Sequence, residues 1–232
     1  MSSPPVLGII GGMGPAATVR FFDSVVCKFP ATRDQDHPRV ILESDPSVPD
    51  RTEAILGQGP SPVPVIVRTG RNLIEAGATI LAMPCVTAHH YYDEIQSGLK
   101  TPLIHMIKET AFFIRDHYPE KKFCLLATTG THLSGLFQRH MADVDFVPVD
   151  QNIQEHFVME SVYGKNGVKA GHTDRSRPLI LNACDFYLQK GAEGFIAGCT
   201  EIPLILTQDD LPVPLVDPME VMAEVCVKRL TV

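Results

Sequence analysis

The chain has 232 residues, 44% hydrophobic and 20% charged, with six cysteines and a formal net charge of −7; this length buries a substantial core in one or two domains. The acidic balance excludes nucleic acid or an acidic membrane surface as the main partner, since both need a basic face. No apolar run reaches the roughly 18 residues of a membrane span, "MSSPPVLGIIGG" lacks the build of a secretory leader, and the cysteines are too scattered for a disulfide framework, so a cytoplasmic protein with free thiols is expected.

In chain order, "PVLGII" predicts a buried strand, "GGMG" a tight turn, and "PAATVRFFDSVVCKF" a helix with Pro15 in its first turn. "RVILES" predicts a second strand, and residues 44–62, rich in proline and glycine, a long loop. "PVPVIVRTGRNLIEAG" predicts a helix closed by Gly77, and "ATILAM" a strand that delivers Cys85 at its carboxyl end. "TAHHYYDEIQSGL" reads as the next helix and "PLIHM" as a short strand. Alternation of this kind implies an α/β fold with parallel sheets covered by helices. Ligands in such folds gather beyond the carboxyl ends of the strands.

The second half repeats the first. "FCLLATTGTHLSGLFQRHM" answers "VLGIIGGMGPAATVRFFDSV", "LQKGAEGFIAGCTEIP" answers "LIEAGATILAMPCVTA", and "VPLVDPMEVMAEVCV" answers "TPLIHMIKETAFFI". Cys85 and Cys199 lie 114 positions apart, as do Gly77 and Gly191, while Pro102 and Pro214 lie 112 apart. Ordered matches at nearly one offset predict two homologous parallel-sheet α/β lobes related by a pseudo-twofold axis, with the site in the cleft between them. The expected division is residues 1–103 with 212–232 in one lobe and 104–211 in the other. Cys27, Cys184 and Cys226 fall in helix-period patterns and Cys124 at the start of a strand-like run, so all four are expected as small core residues. Cys85 and Cys199 differ, because each directly follows a strand and precedes a threonine.

Two thiols facing across a cleft suit a reaction symmetric about a plane, in which one removes a proton from a carbon and the other returns one to the opposite face. A free thiol titrates near ~8.5, and oriented backbone amides at strand-to-helix turns shift it toward thiolate. The carbanion then needs preorganised hydrogen-bond donors. Candidates are Thr87, Thr200 and the turn threonines Thr128, Thr129 and Thr131, each of which has helix capping as its alternative role. Gly12 and Met13 in the glycine turn are candidates for close backbone approach to a small carboxylate, since "GGMGP" lacks the lysine of a phosphate loop and the full dinucleotide fingerprint.

In order and across nearly the whole chain, "GGMGP", "PCVTAHHYYDEI", "LLATTGT", "GCTEIPLIL" and "DPMEVMAE" resemble the signature stretches of the aspartate/glutamate racemase family. The resemblance implies two α/β lobes, a small amino-acid substrate, no cofactor, paired acid/base roles for Cys85 and Cys199, and a homodimer. It also implies that Arg51, in "PDRT", clamps a substrate carboxylate and that Lys169, in "GVKAG", reaches the same cleft. Glu201, in "GCTEIP" where cell-wall glutamate racemases carry histidine, brings the sequence nearer the aspartate racemases. Its alternatives are to tune Cys199 or to favour a helix dipole. Val86 stands where the family has asparagine, which removes an amide from the site. Hydantoin racemases, arylmalonate-type decarboxylases, maleate isomerases and a binding protein without turnover are the alternatives this departure leaves open. A zinc reading of Cys85 with His89 and His90 lacks a second Cys/His pair; His89 is expected beside Cys85 and His90 at the surface.

Overall fold

Every residue of the first strand, β1 (Leu7–Gly11), is buried, as its unbroken apolar run requires when helices cover both faces of a parallel sheet. The computed structural model describes residues 4–231. β1 leads into α1 (Pro15–Lys28), then β2 (Val40–Ser44), α2 (Arg51–Ile55), α3 (Val63–Glu75) and β3 (Ile80–Ala82). A 3-10 turn at Thr87–Tyr91 precedes α4 (Tyr92–Ser97), α5 (Met106–His117), β4 (Phe123–Ala127), α6 (Thr129–Ser134) and α7 (Leu136–His140). Next come α8 (Gln151–Ile153), a π-helical stretch Gln154–Met159, α9 (Glu160–Tyr163) and α10 (Thr173–Gln189). β5 (Gly194–Gly198), β6 (Leu215–Val216) and α11 (Pro218–Leu230) complete the fold.

The strands form two parallel sheets, β2-β1-β3 and β4-β5-β6. A parallel bridge from Leu81 to Leu103 adds a position beside β3, and one from Phe123 to Phe146 adds a position beside β4. With these included, both halves carry one order: an edge position, the leading strand, the strand that runs on to a cysteine, and a final position led by a proline. The duplication seen in the sequence is therefore a duplication of topology.

Several expectations are corrected. "PLIHM" contributes a single bridge at Leu103, not a strand. The supposed loop at 44–62 contains α2, whose first amides are capped by Asp50, its side chain accepting from Thr52 N at 2.8 Å and Glu53 N at 3.0 Å. Cys27 is exposed. The buried stripe of α1 runs Ala17, Phe21, Val25, and a residue two positions on is turned about 200° away. His90 is half-buried, not exposed. Leu215–Val216 pairs with β5, and α11 packs on α1 and α5.

One apolar cluster unites the halves: Leu7, Phe21, Phe123, Ile196 and Met222 all belong to it. Along its edge, Arg20 bridges to Asp217 at 2.7 Å and Glu220 at 3.1 Å, and Lys28 to Glu220 and Glu224. Asp217 also caps α11, accepting from Met219 N at 2.9 Å. Losing such a cap costs about 1 kcal/mol. Asp217→Ala is therefore expected to lower the melting temperature by roughly 2–4 °C; an unchanged melting curve would show that the ion pairs and cap are idle.

Candidate active site

β3 and β5 occupy matching places in their sheets, and the chain beyond each carboxyl end turns into the cleft. Cys85 and Cys199, each 5% exposed, line the same cavity. Its volume is about 10 Å³, room for about one water. Met13, Val86, Thr87 and Arg51 line it from the first half, and Thr128, Lys169, Thr200 and Glu201 from the second.

The two sulfurs sit in opposite electrostatic surroundings. The Cys199 thiol donates to Glu201 Oε2 at 3.0 Å, as does the Thr200 hydroxyl at 3.2 Å. Burial, then the Glu201 charge, pushes the Cys199 thiol well above its ordinary range. Burial opposes the Glu201 charge in turn, but Lys169, 2.8 Å from Oε1, and the hydroxyl and thiol donors outweigh it and hold the carboxyl below its usual value. Lys169 stays protonated for the same reason: burial lowers it, and Glu201 with the nearby sulfurs more than compensates. Gly14 belongs to this corner, since a Cβ there would stand 3.2 Å from Glu201 Oε1. The Glu201 carboxylate thus touches Cys199, Thr200 and Lys169 together.

Cys85 faces a cation instead. Arg51 is only 8% exposed; its Nη1 donates to the carbonyls of Pro49 at 3.0 Å and Val48 at 3.3 Å, while Nε is buried with no partner. Burial works against its charge, and the adjacent Cys85 sulfur, Tyr163 and Asp50 more than restore it. This buried guanidinium therefore keeps one donor unused.

Hydroxyl donors gather beside the sulfurs. Thr87 Oγ1 lies 2.9 Å from Thr131 Oγ1 and 3.4 Å from Thr128 Oγ1, and Thr128 also caps α6 by accepting from Thr131 N. Capping and cleft-lining thus coincide at Thr128. Three candidates, Gly12, Thr129 and Thr131, are not among the cavity-lining residues. The Gly12 amide donates to Thr18 Oγ1 at 3.0 Å, and the glycine's close approach is to the Asp45 backbone. Thr129 turns its amide to Met159 Sδ and its hydroxyl to Gln154. Val86 lines the cavity while belonging to the shared core.

The sequence reading missed Tyr163. It lines the cavity, its hydroxyl donates to Asp50 Oδ2 at 3.1 Å across the cleft, and Lys169 Nζ lies 5.2 Å from its ring centroid. No motif flags it, because its role depends on a contact 113 residues away. Among the described residues, no group of three or more His, Cys, Asp or Glu side chains converges as a metal site would need, and no helix is long and apolar enough to cross a membrane.

The family profile described as Asp/Glu/Hydantoin racemase matches residues 10–226. The chain belongs to that family. As a member of the Asp/Glu/Hydantoin racemases it is an isomerase with the two-lobed α/β architecture of its relatives. The aspartate racemase of Picrophilus torridus superposes with a TM-score of 0.88 at 31% identity, covering 98% of this chain and 94% of that one. The broad specificity amino-acid racemase RacX of Bacillus subtilis (strain 168) is 26% identical over 223 residues, 94% of this chain and 95% of its own. Glutamate racemase from Francisella tularensis, solved with D-glutamate, shares the fold at 17% identity and a TM-score of 0.68, covering 98% of this chain and 81% of that one.

Proposed function

We propose that this racemase-family chain interconverts the L and D forms of aspartate, glutamate or a similar small amino acid, without a cofactor, by moving the α-hydrogen between Cys85 and Cys199. The observation that carries this is the meeting of two thiols, from matching positions of a duplicated fold, in one cavity. The charges beside them differ: Arg51 stands beside Cys85, and Glu201 keeps Cys199 a thiol.

In one direction the Cys85 thiolate takes the α-hydrogen as a proton, and the electron pair left on Cα delocalises into the adjacent carboxylate as an enediolate. Cys199 then delivers its own proton to the opposite face, which leaves the inverted amino acid, a Cys85 thiol and a Cys199 thiolate. The reverse reaction runs from that second state. The free Nε of Arg51 and the hydroxyls of Thr87 and Thr128 are suitable donors for carboxylate oxygens in the reacting state. Because the cavity as it stands has room for about one water, entry of the substrate requires the rim to part, and the exposed Tyr163–Asp50 hydrogen bond is one cross-cleft contact to be broken. The kinship with an aspartate racemase and with a broad-specificity amino-acid racemase supports this substrate class. A cytoplasmic homodimer is part of the same reading, with sedimentation equilibrium as the check on assembly.

A second reading, a protein that binds such acids without turning them over, draws on Val86 in place of an amide. Deuterium uptake at Cα in heavy water, across both enantiomers of acidic and neutral amino acids, separates the two: a racemase labels its substrates and a binder labels none. Glu201→Gln removes the carboxylate charge from beside Cys199. Since the Cys199 thiol is held up by that charge as well as by burial, the variant is expected to alkylate at Cys199 several-fold faster at pH 8, and to lose turnover. Unchanged alkylation would mean that burial alone protects the thiol.

A further inference from the structure

Cys85 lies beyond the last residue of β3, Ala82, where no sheet hydrogen bond holds it. Its amide donates to Met83 O at 2.8 Å, and its carbonyl lies 2.8 Å from Nδ1 of His89. The other ring nitrogen of His89, Nε2, lies 3.2 Å from the backbone amide of Met106, the first residue of α5. A backbone amide only donates, so when Nε2 accepts from Met106 it is the bare nitrogen, and Nδ1 carries the proton that it gives to the Cys85 carbonyl. The ring is 2% exposed and stands beside Tyr92 and His105. Burial, the largest effect, keeps it neutral, with a pKa lowered to about 4.

His89 thus spans two fixed points. One is the peptide that sets the directions of Cys85, Val86 and Thr87; the other is an amide that the start of α5 leaves without a helical partner. α5 itself is anchored by Met106, Ile107, Ala111 and Ile114 in the apolar cluster shared by both halves. At the repeat offset, the place of His89 falls on Pro203, which has no side-chain donor or acceptor. Cys199 is instead held through its sulfur by Glu201. The two copies of the fold therefore fix their cysteines by different means, one through the backbone and one through the thiol.

We infer that His89 is the positioning residue for Cys85: as a neutral, Nδ1-protonated imidazole it braces the Cys85 peptide against the N-terminus of α5 and so aims the sulfur at the substrate carbon. The mechanistic half of this rests on the racemase reading above, whereas the brace itself does not. Glutamine is the rescuing substitution, because its amide offers a donor and an acceptor at a spacing close to that of the two ring nitrogens; leucine offers neither.

The test combines three measurements. In the unmodified protein, the 15N chemical shifts of His89 should report a protonated Nδ1 and a bare Nε2; the opposite tautomer, or an imidazolium at pH 7, overturns the inference. In His89→Leu, kcat for racemisation should fall 10- to 100-fold with KM changed less than threefold. Alkylation of Cys85 by iodoacetamide, mapped by mass spectrometry, should slow at least fivefold while Cys199 is unaffected. His89→Gln should recover kcat and Cys85 alkylation to within about threefold of the unmodified protein. A folded His89→Leu with normal kcat and normal alkylation refutes the role, and so does a His89→Gln as impaired as the leucine variant. Should His89→Leu fail to fold, the tautomer and the glutamine variant still decide. If the unmodified protein labels no amino acid in heavy water while the tautomer and the alkylation pattern hold, the racemase reading falls and the brace on Cys85 stands.

Discussion

Replacing either Cys85 or Cys199 with serine is expected to reduce net racemisation by about 10²–10⁴-fold, the usual contribution of a positioned acid or base. A serine hydroxyl fills nearly the same volume, so folding should survive at both sites, where the cysteines are buried at the ends of β3 and β5. In the proposed mechanism, proton donation by one thiol is useless without abstraction by the other, so the two act as a unit. The double variant should therefore be little worse than either single one. The two lesions should still differ in kind. Cys199→Ser leaves the Cys85 sulfur beside Arg51, and it should retain slow α-hydrogen exchange without inversion for the enantiomer that Cys85 serves. Cys85→Ser leaves a thiol that Glu201 keeps protonated, and it should show less of that residual exchange near neutral pH. Chiral chromatography with deuterium counting resolves these outcomes. A Cys85→Ser enzyme with full racemase activity would mean that a single cysteine does the chemistry.

Gly12→Ala should be the most damaging small substitution for stability. Gly12 has φ of +97°, and a Cβ built there would come within 2.3 Å of Asp45 O and 2.4 Å of Asp45 C. A left-handed non-glycine residue costs about 1–2 kcal/mol, and forced overpacking adds about 1–3 kcal/mol. In a chain of this size the sum corresponds to a melting temperature lower by roughly 5–15 °C. Gly57→Ala is the natural control. Its φ is +71° with nothing within 4 Å of the added carbon, so it bears the conformational cost alone. Equal melting shifts in the two variants would rule out the clash with Asp45. Because Met13 lines the cavity directly after Gly12, activity should fall along with stability in the first variant and persist in the second.

Legibility in the sequence tracked how local each determinant is. β1, the glycine turn and α1 announce themselves through an apolar run, three glycines and Pro15. The pairing of Cys85 with Cys199 emerged because the duplication preserved spacing. Arg51, Lys169 and Glu201 came only through family likeness, since nothing in their neighbourhoods separates a clamp or an ion pair from an ordinary surface charge. α2 was masked by the prolines and glycines around it, although Asp50 and Glu53 are spaced as an N-terminal cap. "PLIHM" carries the apolar character of a strand but makes only one bridge, because sheet pairing is decided by neighbours and not by composition. Gly12 and Thr129 were read as ligand contacts from their place at strand ends. Their amides are already committed, to Thr18 and Met159 respectively. Tyr163 stayed invisible because its meaning arises across the cleft.

The apolar cluster that runs from Leu7 through Phe123 to Met222 has a mechanical consequence. The two halves are fused at their base, so opening resembles the parting of tweezers: a nearly fixed heel, with displacement growing toward the tips that carry Tyr163 and Asp50. A protease nick in the exposed turn between α5 and β4 should for that reason leave two fragments clasped together, inseparable until the heel itself is melted.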